Sequence, residues 1–105
     1  MERGEVWWAA LPRPIGRHPV VILSRHRAVQ VRDAVTVAEV TSRIRNIPVE
    51  VPLGPEDGMP KKCVVNLDVI NTVPKKLLTE RVTTLSNGKL QAVEDALKFA
   101  LALPQ

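Results

Sequence analysis

At 105 residues the chain has room for one domain, 1–105, and for a modest core. Hydrophobic residues make up 45% and charged residues 25%, the balance of a folded globular protein, which argues against disorder. A net charge of +4 favours polyanionic partners, and the single cysteine, Cys63, excludes an internal disulfide framework and suits a reducing cytosol.

The charged start, Met1 to Glu5, is unlike a secretory signal, and no run approaches the ~20 apolar residues of a membrane span. The chain is read as complete, soluble and cytoplasmic, with no membrane partner. Glu5 to Leu11 reads as a first strand, with Trp7 and Trp8 on opposite faces. Pro12 to Arg17 is a breaker-rich loop. Pro19 to Leu23 is short, apolar and β-branched, which predicts a strand buried on both faces. Arg25 to Arg32 is a basic connection without a clean period. Val35 to Thr41 alternates and is a strand. Ile47 to Leu53 also alternates, but Pro48 and Pro52 cannot donate to a ladder, so it belongs at an edge.

Gly54 to Pro60 is a turn cluster. Lys62 to Leu67 is a strand, Val69 to Val73 extends or restarts it, and Pro74 stops it. Lys75 to Leu78 fits a single helical turn, and Arg81 to Leu85 a last short strand. Ser86 is a good N-cap for a closing helix whose apolar stripe is Leu90, Val93, Leu97, Ala100 and Leu101, with Glu94 and Lys98 as an i,i+4 pair. Short strands followed by one helix indicate a mostly β protein, a small antiparallel barrel or sandwich with a C-terminal α-helix.

The chemistry-bearing residues are few. His18 and His26 have no Cys or carboxylate at ligand spacing, so no metal and no cofactor is expected. No phosphate-binding glycine motif and no nucleophile elbow is present. What stands out is a basic region, Arg13, Arg17, His18, Arg25, His26 and Arg27, followed by Arg43 and Arg45 after Thr41-Ser42. Such guanidinium groups suit phosphate oxygens, or simply form a solvated basic face.

Met1-Glu2-Arg3-Gly4-Glu5-Val6-Trp7 is similar to the opening of MazF/PemK toxins of type II toxin–antitoxin systems. Gly16 to Leu23 resembles the family's glycine–arginine–proline strand, Val40-Thr41-Ser42 its valine–threonine–serine segment, Val64 to Asp68 and Thr72-Val73 its later strand, and Leu90 to Leu103 its closing helix. The resemblance covers nearly the whole chain, in order. It implies an SH3-like barrel of the MazF/PemK/CcdB type and a homodimer. It also implies a sequence-selective, metal-independent endoribonuclease that leaves 2′,3′-cyclic phosphate and 5′-hydroxyl ends on single-stranded RNA, with a cognate antitoxin as protein partner.

By that resemblance Thr41 falls on the catalytic Thr and Asp68 on a carboxylate proposed as base. His18 stands where the family has its main catalytic arginine. Arg17, Arg25, Ser42 and Arg43 are the expected RNA contacts. Val69 and Asn71 replace polar and basic family residues. Two outcomes follow: His18 carries the proton transfer and nearby arginines the charge, or the copy is weakened. A protein-binding toxin like CcdB shares the fold. That family uses a C-terminal Trp-Gly-Ile, however, whereas this chain ends Leu103-Pro104-Gln105. A catalytically silent interaction module is the remaining alternative.

Overall fold

The computed structural model describes residues 1–104. Six strands form one sheet: β1 (Glu5–Ala10), β2 (Arg17–Ile22), β3 (Ala34–Thr41), β4 (Glu50–Leu53), β5 (Cys63–Pro74) and β6 (Leu78–Thr84). Their order is β4-β5-β3-β2-β1-β6, and every pairing is antiparallel. Two helices are added, α1 (His26–Val31) and α2 (Asn87–Ala100). No described helix is long and apolar enough to cross a membrane.

The sheet curls into a partly open barrel because it buries apolar side chains on both faces. Val20, Val21 and Ile22 in β2 have no exposed surface. Each such side chain contributes about 1.5–3 kcal/mol by leaving water. Val21 joins Val6, Val40, Val65, Leu67 and Val93 in an inner core beneath α2. Val20 and Ile22 join Ala9, Val29, Val35, Val37 and Val73 in a second core beneath α1. The edges β4 and β6 do not pair with each other. Instead the Gly54–Met59 turn bridges them: Thr83 Oγ1 of β6 donates to the Asp57 carbonyl (2.9 Å). Gly58 is required there, since its φ is +89° and a Cβ would come 2.4 Å from Thr83 Oγ1.

Several elements depart from the sequence reading for identifiable reasons. The basic connection contains α1, whose N-cap Arg25 makes no side-chain cap bond and whose six residues are too few to show a period. The edge strand begins at Glu50, not Ile47, because the preceding residues turn. The Arg45 and Asn46 N–H groups donate to Glu50 Oε1 (2.9 and 3.0 Å), and Asn46 takes φ +57°. Lys62–Leu67 and Val69–Val73 are one twelve-residue strand with a bulge. Glu39 pairs with Asn66 while Ala38 pairs with Ile70, which leaves residues 67–69 outside the ladder. The last strand starts at Leu78, directly after a 3₁₀ turn over Lys75–Leu77.

In α2, Ser86 caps as expected, its Oγ accepting from the Lys89 N–H (3.2 Å). Val93 and Ala96 are buried, but Leu101 ends the helix and is 54% exposed. Glu94 turns to Arg3 (3.5 Å) rather than to Lys98. At the other end of the sheet, Glu5 is buried and accepts from the Trp7 indole N–H (2.8 Å), with Arg81 at 3.6 Å. Burial alone would raise its carboxyl. The Trp7 and Glu2 hydrogen bonds, the N-terminal ammonium and Arg81 outweigh that and hold it below the usual range.

Candidate active site at the β2–β3 end of the sheet

The ladder between β2 and β3 pairs Val20 with Glu39, Val21 with Ala38 and Ile22 with Val37. Continuing that register two residues further puts His18 opposite Thr41. Both residues line one hollow of about 230 Å³, together with Trp8, Pro19, Val40, Ser42, Met59, Pro60, Lys61 and Cys63. β2 supplies the imidazole, the end of β3 the two hydroxyls, and the turn before β5 the ammonium of Lys61. His18 and Thr41, as ladder residues, are held with less freedom than Ser42 and Lys61, which lie outside the strands.

The hydroxyl of Thr41 accepts the Arg43 N–H (3.1 Å). A hydroxyl accepting that bond keeps its own proton to donate elsewhere. His18 Nε2 is buried and has no hydrogen-bond partner; Glu39 Oε1 lies 3.9 Å away. Cys63 at the floor is buried, and burial first, then the nearby Asp57 carboxylate, push its thiol up despite Lys61. A thiol in that state is a packing group and a poor nucleophile. Among the described residues no three His, Cys, Asp or Glu side chains cluster as metal ligands.

The remaining predicted residues divide. Ser42 is in the hollow. Arg17 is on the opposite face of β2 from His18, yet remains beside the site. Its guanidinium stacks 4.3 Å from the Trp8 ring centroid and pairs with Glu80 at 3.7 Å. Arg43 lies just past Thr41 and its side chain is exposed. Arg25 is elsewhere. It lines a separate small hollow with Ser24, Arg32, Thr36 and Thr72, and Thr36 is five residues, roughly 17 Å, from Thr41 along β3. Asp68 is not brought to the hollow either. It sits exposed on the β5 bulge, its N–H donating to Asn66 Oδ1 (2.9 Å). Val64 is the residue that pairs with Thr41, and Asp68 is four residues, roughly 13 Å, further on.

Sequence reasoning missed Lys61 and Glu39. Lys61 could have been suspected from its place after the Gly54–Pro60 turn. Glu39 gave no signal, because only the β2–β3 register brings it near His18.

A small curled antiparallel sheet closed by one C-terminal helix, with a polar hollow at one end, is a known toxin architecture. Its sequence signature, that of the PemK-like, MazF-like toxins of type II toxin–antitoxin systems, matches residues 2–101. The chain belongs to that family. It is 39% identical over 100 residues to a probable endoribonuclease, MazF5, of Mycobacterium tuberculosis, covering 94% of this chain and 91% of that protein. Its fold superposes on the M. tuberculosis toxin MazF-mt6 with a TM-score of 0.88 at 28% identity, covering 96% of this chain and 99% of the other. A mycobacterial endoribonuclease solved with its cognate antitoxin matches with a TM-score of 0.89 at 28% identity, covering 100% of this chain and 98% of the other.

Proposed function

We propose that this chain is an endoribonuclease toxin that cuts single-stranded RNA sequence-selectively and without a metal, at the hollow between His18 and Thr41. The observation that carries this reading is the grouping of His18, Thr41, Ser42 and Lys61 around one hollow. The relatives named as probable endoribonucleases support it.

RNA brings its own nucleophile, the 2′-hydroxyl beside each phosphate. His18 takes the 2′-hydroxyl proton as the 2′-oxygen bonds to phosphorus. Thr41 and Ser42 donate to the non-bridging oxygens, and Lys61 offsets their growing charge. The P–O5′ bond then breaks, and the 5′-oxygen takes a proton from water at the open mouth. The products are a 2′,3′-cyclic phosphate and a 5′-hydroxyl. Arg17 and Arg43 flank the site and hold neighbouring phosphates. This scheme leaves Arg25 and Asp68 without a role in the hollow.

The reading includes a cytoplasmic protein, one toxin domain over the whole chain, a homodimer and a cognate antitoxin partner. The match over residues 2–101 supports the single domain. The mycobacterial complex supports the antitoxin. The exposed apolar side chains Phe99, Leu101 and Leu103 offer a face for a second copy.

The test is incubation of purified protein with long single-stranded RNA in EDTA. Discrete fragments are expected, and Thr41→Ala should reduce the rate on the order of a hundredfold or more. RNA that stays intact would instead favour a protein-binding toxin on the same fold.

A further inference from the structure

We infer that Glu39 is a positioning residue that fixes the tautomer and orientation of His18; the inference rests on the ribonuclease reading above. Among the described residues Glu39 is the carboxylate paired with His18, Oε1 to Nε2 at 3.9 Å, and Nε2 is buried with no hydrogen-bond partner. When that gap closes to a hydrogen bond, Nε2 is the nitrogen that carries the proton, because a carboxylate can only accept. Nδ1 is then left unprotonated, with a lone pair free to accept a proton from the 2′-hydroxyl.

Glu39 is itself held. Its backbone sits in the ladder between Val20 and Asn66, and its Oε2 accepts from Asn71 Nδ2 (3.2 Å). The side chain is 18% exposed, so water screens the pair only partly. A gap of 3.9 Å is one small ring rotation from a hydrogen bond, and such contacts tighten when substrate closes a site. The proton balance is simple. Nδ1 takes the 2′-hydroxyl proton, the imidazolium is stabilised by the Glu39 carboxylate, and the proton later leaves to solvent from Nδ1. Glu39 stays ionised throughout and touches no reacting atom. Asn71 acquires a purpose as well: it occupies one carboxylate oxygen and leaves the other for the imidazole.

Glu39→Gln, Asn71→Ala, His18→Ala and the double variant His18→Ala/Glu39→Gln are assayed on one RNA oligonucleotide, and ring ¹⁵N shifts of His18 are recorded for the wild type and the two single variants at Glu39 and Asn71. Glu39→Gln should lower kcat on the order of tenfold to a hundredfold with KM changed less than about twofold. The double variant should be no slower than His18→Ala alone, because the two residues act as one unit. The ¹⁵N shifts should report an Nε2–H ring in the wild type and a mixed tautomer in Glu39→Gln. Should Glu39→Gln not fold, Asn71→Ala provides the same test, with a smaller loss of kcat and a partial shift of tautomer. Glu39→Gln cleaving at the wild-type rate with an unchanged tautomer, while His18→Ala is inactive, would overturn the inference and leave the ribonuclease reading intact. A wild type that fails to cut RNA would sink that reading instead, and the ¹⁵N shifts would still decide whether Glu39 sets the tautomer.

Discussion

His18 stands where the family resemblance expects an arginine, and its neighbours explain how an imidazole serves there. It lines the hollow with Thr41, Ser42 and Lys61, while Arg17 stays stacked on Trp8 on the other face of β2. In the proposed mechanism a permanent cation is exchanged for a proton carrier, with Lys61 supplying the charge from a different element. Glu5 has a structural role. Against the opposing effect of burial, its carboxyl is held below the ordinary glutamate range in the folded state, chiefly by the Trp7 and Glu2 hydrogen bonds. A depressed carboxyl stabilises the fold above its unfolded pKa, and that stabilisation is lost as pH falls through the folded value. Urea midpoints measured from pH 7 to pH 3 should therefore fall more steeply for the wild type than for Glu5→Gln, the two curves converging at the acid end. Parallel curves would show that Glu5 contributes nothing through its charge. His18, Thr41 and Ser42 could be picked out because they fall on motif positions of the family resemblance; Lys61 was only hinted at by its place after a turn cluster, and Glu39 not at all, because its proximity depends on strand register. The position of Asp68 outside the hollow was hidden for the same reason: nothing in the string of residues announces the bulge that carries it.

The strands β1, β2 and β3 were readable because β-branched residues cluster between glycine, proline and serine breakers. The helix α1 was hidden because six residues span fewer than two turns, and Ala28 and Val29 are the only ones it buries. The edge position of β4 followed from Pro52, whereas its late start did not, since the Glu50 carboxylate capping the turn is a long side chain's choice of partner. The helix α2 carried the clearest signal, in both its cap and its stripe. Ser86 satisfies the Lys89 N–H through an exposed bond, so Ser86→Ala should cost about 1 kcal/mol. That corresponds to a fall in Tm of about 4–8 °C in a domain of this size, readable by circular dichroism, with RNA cleavage at 25 °C unchanged. No change in Tm would mean the cap contributes nothing to stability.

The assembled protein carries basic residues around the hollow and exposed apolar residues in its C-terminal segment. Lys61 lines the hollow and Arg17 and Arg43 lie beside it, while Phe99 in the last turn of α2 and Leu101 and Leu103 after it are 49–60% exposed. Exposed apolar side chains of this size are candidates for a contact face. If that face joins two copies, Phe99→Glu should shift the protein from dimer to monomer in sedimentation equilibrium while leaving its circular dichroism unchanged. A dimer of unaltered affinity would remove α2 from the interface.

The ribonuclease mechanism stands or falls on whether the RNA supplies the attacking group. Two oligonucleotides carrying the same cut site are compared in EDTA, one all-ribose and one with a single 2′-deoxynucleotide on the 5′ side of the scissile phosphate. The His18–Thr41 chemistry predicts that the first is cut, leaving a 2′,3′-cyclic phosphate and a 5′-hydroxyl by mass spectrometry, and that the second stays whole. Cleavage of both at that phosphate would contradict it, since the nucleophile would then come from water or protein.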